Sequence, residues 1–146
     1  MESENLQIID KMEIDIAFLY KRSDGIMRFE IKKGIVFEPP QVEKLVAALG
    51  KLGEGKKFGN LFLLYDDTDV TDEGRKSIAS ESATRYTIAD AYVIASFFQK
   101  IIANFFLKVN KPPKPTKFFY DEKEAITWLR RQIATYKKES LGQIKD

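Results

Sequence analysis

No stretch restricts the fold of this chain more than Asn60-Leu-Phe-Leu-Leu-Tyr65. Its apolar run is unbroken and too short for a globular helix, and it has the length of a central strand covered on both faces. Asp66-Asp67-Thr68-Asp69-Val70-Thr71-Asp72-Glu73 follows directly, with Thr71 placed to open a helix. A strand, an acidic turn and a helix in that order predict an α/β sheet. Ligands and partners of such sheets gather beyond the carboxyl ends of the strands, so the turn is the first candidate site.

The rest of the chain is arranged around that strand. Alternation predicts a strand over Glu13–Tyr20, with Ile14, Ile16, Phe18 and Tyr20 on one face and Glu13, Asp15 and Ala17 on the other. Arg22-Ser-Asp-Gly25 reads as a turn. Gly25–Lys32 alternates again, with Met27, Phe29 and Ile31 on one face, which completes an antiparallel hairpin. Ile35-Val36-Phe37 adds a short extended piece. Pro39-Pro40 opens a helix whose apolar stripe is Val42, Leu45, Val46, Leu49 and Leu52. The glycine-rich loop after it lacks the Gly-Lys-Ser/Thr of a phosphate loop.

The helix from Thr71 is expected to end near Ala83. Ala91-Tyr-Val-Ile-Ala95 predicts a second buried strand, and Ser96 caps a helix over Phe97–Asn110. Lys117-Phe-Phe-Tyr120 reads as a short strand. Asp121 and Glu124 have capping-box spacing before a last helix carrying Trp128, Leu129 and Ile133. That helix is expected to fray from Lys137 into a polar tail. The order β-β-α-β-α-β-α-β-α predicts a single α/β domain over residues 1–146, with its core at about 10–136. Its mixed sheet begins with an antiparallel hairpin, continues in β-α repeats and carries helices packed on it.

Composition narrows the chemistry. The chain has no Cys and no His, which excludes disulfides, thiolate nucleophiles, catalytic triads and the commonest metal ligands. Net charge is +2, and with no recognised motif nucleic acid is not expected as a partner. No run approaches the roughly 20 apolar residues of a membrane span, and the polar Met1–Asn5 is unlike a secretory signal. A cytoplasmic protein without catalytic activity or cofactor is expected.

Two features stand out as candidate sites. The first is the acidic strand–turn–helix of Asp66, Asp67, Thr68, Asp69, Thr71, Asp72, Glu73 and Gly74. Clustered carboxylates suit hard cations, but the spacing is not that of an EF-hand and no metal is expected. Helix capping, dipole stabilisation and contact with a protein partner are the readings left open. The second is the apolar surplus of the Phe97–Asn110 helix. Phe98, Ile102, Phe105 and Phe106 are candidates for a homodimer interface, with core packing and an apolar ligand or lipid as the other readings.

The hairpin, the acidic strand–turn–helix and the closing segments resemble SpoIIAA-like proteins of the STAS superfamily. The stretches that carry the likeness are Ala89-Asp-Ala91, Asn104-Phe-Phe-Leu-Lys-Val-Asn-Lys-Pro112, Pro115-Thr-Lys-Phe-Phe119 and Asp121-Glu-Lys-Glu-Ala125 with Trp128-Leu129. The resemblance implies a binding or regulatory module. In that family a Ser in an Asp-Ser-Ser-Gly turn is phosphorylated, whereas the matching stretch here is Thr71-Asp72-Glu73-Gly74. Gly74 is kept, acids stand at both Ser positions, and the kinase switch does not carry over. A partner surface at the turn does, and so does the possibility of an apolar ligand held by the related lipid carriers.

Overall fold

The computed structural model describes residues 6–145, apart from the side chains of Phe97, Phe98, Ile102, Phe105 and residues 143–145. The described residues form eight strands and four helices, with four strands preceding the first helix. The strands are β1 (Ile8–Glu13), β2 (Ala17–Arg22), β3 (Ile26–Ile31), β4 (Val36–Phe37), β5 (Phe58–Leu63), β6 (Asp69–Val70), β7 (Thr87–Val93) and β8 (Thr116–Phe119). The helices are α1 (Pro39–Leu52), α2 (Asp72–Ile78), α3 (Phe97–Val109) and α4 (Glu122–Lys145). Six strands form the main sheet in the order β1-β2-β3-β5-β7-β8. The first three are antiparallel and the rest run parallel to β3. The apolar run after Asn60 lies inside this sheet, between β3 and β7.

Each face of the sheet has its own core. On one face α4 lays Ala125, Leu129 and Ile133 over Ile26, Leu61, Ala89 and Ala91. The approach is close because Gly59 has no side chain: a Cβ there would sit 3.0 Å from Ile133 Cδ1. Asp24, in the β2–β3 turn, anchors the same helix, receiving Arg22 at 2.7 Å and Arg130 at 3.0 Å. Burial by itself would raise the Asp24 carboxyl, but hydrogen bonds and charge from Arg22 and then Arg130 hold it below its ordinary value. The other face carries α1, whose Val42, Val46, Leu49 and Leu52 pack on Leu19, Met27, Phe29 and Phe62. No described helix is long and apolar enough to cross a membrane.

Three expectations need correction. The alternating run Glu13–Tyr20 is not one strand: β1 ends at Glu13, and a tight turn closed by Ile14 N–H donating to Ala17 O at 2.9 Å leads into β2. The faces therefore reverse, with Ala17 and Leu19 fully buried and Phe18 36% exposed. α2 stops at Ile78 and irregular turns fill the chain to β7, because Thr84 Oγ1 and Ser80 Oγ turn back onto nearby carbonyls. α4 continues through the stretch expected to fray, as far as Lys145.

A small second sheet, β4 beside β6, fastens α2 to the end of α1. Thr71 caps α2 by accepting from Gly74 N–H at 3.0 Å, and its own N–H donates to Phe37 O at 3.0 Å. Gly74 is buried against that carbonyl, and a Cβ on it would lie 2.1 Å from Phe37 O. Backbone cannot step aside as a side-chain tip can. Gly74→Ala is therefore expected to destabilise by about 1–3 kcal/mol, as read by urea unfolding. A variant as stable as wild type would mean that α2 is not seated on β4.

Candidate functional site

Parallel pairing puts Phe29, Phe62, Tyr92 and Phe118 at matched positions on four adjacent strands. Side chains of partnered residues share a face, so the four rings form a ladder across the sheet. Their centroids are 4.6, 4.8 and 5.1 Å apart and all three pairs are stacked. The ladder is one wall of an apolar cavity of about 160 Å³. α1 covers it with Val42, Val46 and Leu49, and α3 contributes Ala103 and Phe106. Thr68, Asp69 and Arg75 line its end at the carboxyl rim of the sheet.

Two positions back from Phe62 and Tyr92 along their strands stand Asn60 and Asp90, on the same face by the strand period. They form a buried polar cluster with Thr87 at the inner end of the cavity; Asn60 is 1% exposed, Thr87 3% and Asp90 6%. Asn60 Nδ2 donates to Thr87 Oγ1 at 2.9 Å and to Asp90 Oδ1 at 3.0 Å. Asn60 Oδ1 is buried without a hydrogen-bond partner. Among the described residues no cation reaches Asp90, and its second oxygen accepts no hydrogen bond. Desolvation pushes the Asp90 carboxyl up to about 6, against the smaller opposing effect of the Asn60 hydrogen bond. Desolvation and then the charge of Asp90 hold the Tyr92 hydroxyl well above its ordinary value.

The acidic turn is used largely for local architecture. Asp67 accepts from Gly34 N–H at 3.0 Å, Thr68 from Tyr65 N–H at 3.1 Å and Asp69 from Val70 N–H at 2.8 Å. Asp72 pairs with Arg75, and Glu73 with Lys76 at 3.3 Å. Gln99 of α3 donates to Tyr65 O at 2.7 Å, so the turn also holds α3 in place. Asp66 and Asp67 are exposed. Among the described residues no three acids converge as a metal site would require.

Of the four residues expected at a homodimer interface, the side chains of Phe98, Ile102 and Phe105 lie outside those described. Phe106 is 6% exposed and faces the cavity, so its ring is buried within the single chain. The cluster of Asn60, Thr87 and Asp90 was not among the sequence candidates. Its signal is a lone acid in Ile88-Ala-Asp-Ala-Tyr-Val93, a strand otherwise composed for burial. An acid at such a position is rare unless it is paired or used.

A mixed sheet with helices on both faces and an aromatic-walled cavity on one of them defines a small single-domain α/β protein. The chain belongs to a family described as a domain of unknown function, DUF7793, whose model matches residues 20–133. Among solved structures it is similar to a protein with unknown function from Arthrobacter sp. FB24. That protein is 27% identical, with 73% of this chain and 93% of that chain covered and a TM-score of 0.26. No curated protein matches the chain.

Proposed function

We propose that the protein is a non-catalytic binding module whose cavity holds an apolar small molecule. The observation that carries this reading is the cavity of about 160 Å³ between the aromatic ladder and the helices α1 and α3. Ligand pockets are concave and mostly apolar with a few polar groups, and an apolar cavity of roughly 150 Å³ is large enough to take benzene. The acidic turn enters this reading as one end of the site, since most of its side chains are spent on backbone hydrogen bonds, a cap and ion pairs. The kinship with SpoIIAA-like proteins belongs to the same proposal. Its phosphorylation switch does not, because the two Ser positions are Asp72 and Glu73.

Toluene is a suitable probe. It is expected to bind one to one and to shift the methyl resonances of Val46 and Leu49, both on the cavity wall. Ala103→Leu puts an isobutyl group into the same space, since Ala103 is 5% exposed and lines the cavity. The variant is expected to fold and to lose at least about tenfold in toluene affinity. Absence of any saturable shift in the wild type, or equal binding by the variant, would sink the reading.

A further inference from the structure

The polar cluster says what the far end of the ligand must be. Two acceptors are left over: Asn60 Oδ1, buried without a partner, and the second oxygen of Asp90, which accepts no hydrogen bond among the described residues. An ammonium group has three donors and no acceptor, and aromatic faces attract cations further. Tyr92, next to Asp90 on the same face of β7, is also the third ring of the ladder. We infer that the cavity takes a monocyclic organic amine, its ammonium group received by Asp90 and Asn60 and its ring lying against Phe62 and Tyr92. The inference rests on the cavity being a ligand site and adds the class of ligand.

The surroundings of Asp90 favour a cation from outside over one from the chain. Tyr92 is the titratable neighbour on β7. The turn and α2 bring Asp69 and Arg75 to the opposite end of the cavity. The guanidinium of Arg75 is already bound to Val70 O at 3.1 Å and to Asp72. α1 lines the cavity with aliphatic side chains only, and among the described residues of α3 the polar one is Gln99. Nothing among them neutralises Asp90. Below about 6 the carboxyl takes up a proton instead, so an amine should be held at neutral pH and released in acid.

The test compares by calorimetry benzylamine, the equally sized benzyl alcohol, and toluene, which is one heavy atom shorter. At about pH 7.5 an alkylamine is protonated. Benzylamine is then expected to bind at least about tenfold more tightly than either neutral molecule. The advantage should disappear in Asp90→Asn and shrink at about pH 5, below the Asp90 transition. Equal or tighter binding of toluene or benzyl alcohol by the wild type overturns the amine and leaves the cavity reading standing. So does an amine preference that survives Asp90→Asn. Failure of all three to bind overturns both. The wild-type comparison can overturn the amine by itself if the variant does not fold.

Discussion

Asp90→Asn is expected to make the protein more stable at about pH 8, by up to roughly 3 kcal/mol, and to leave it nearly unchanged in acid. Burial moves the Asp90 carboxyl from an ordinary 3.8 to about 6. Between those values the folded chain binds a proton that the unfolded chain has released. The contribution of this group to stability is therefore fully present below 3.8 and is lost as pH rises through about 6. Asn has nearly the same shape, does not ionise and can still accept from Asn60 Nδ2. The difference between variant and wild type should grow from about zero near pH 4 to its full size above pH 7. Urea unfolding of both proteins across that range measures it, and other acids such as Asp24 cancel in the subtraction. A difference that does not change with pH would show that Asp90 is not desolvated. A variant less stable at about pH 8 would show that its charge is compensated. A residue that weakens the fold at neutral pH is the kind kept for use, which is why this measurement also bears on the ligand.

How much of this was legible depends on whether a feature is local. β5 could be read because a strand covered on both faces is a nearly continuous apolar run, as Leu61, Phe62 and Leu63 are. The caps at Thr71, Ser96 and Asp121 could be read because a cap is a contact across three residues, and each hydroxyl or carboxylate accepts the expected N–H. The first hairpin could not. Ile14-Asp-Ile16 carries the alternation straight through a turn with no Gly, Pro or Asn to mark it, so one strand was expected where the chain reverses. The end of α4 was obscured for a different reason. Lys137-Lys-Glu has no apolar stripe, but Lys and Glu are good helix formers, and Gly142 alone does not end the helix. The cavity lay further out of reach. It is a space left where α1, α3 and four strands fail to meet, and no residue spacing encodes a volume. Its polar end was visible only as Asn60 and Asp90, two polar residues inside apolar strands. Each is unremarkable alone, and they meet only through the pairing of β5 with β7.

Phe62→Ala is expected to cost about 3–5 kcal/mol, the largest loss of any single change considered. Phe62 is 8% exposed and is the second ring of the ladder, stacked on Phe29 at 4.6 Å and on Tyr92 at 4.8 Å. Its removal takes away the burial of a full ring and both stacked contacts, each pair worth roughly 0.5–1.5 kcal/mol beyond area. Typical domains hold about 5–15 kcal/mol in total, so the urea midpoint should fall sharply with little change in slope. Phe18→Ala is the control: at 36% exposed, with Lys32 Nζ 4.8 Å from its ring centre, Phe18 lies outside both cores. That change should cost less than about 1 kcal/mol. The hole left by Phe62 would open into the existing cavity of about 160 Å³ rather than form a separate void. The variant should accordingly be rescued by toluene, which stabilises the folded chain in proportion to its occupancy. The midpoint gain on adding toluene is expected to be larger in Phe62→Ala than in wild type. A large loss without rescue would mean that the sheet collapses into the gap, and a loss below about 1 kcal/mol would mean that the ring is not part of the core.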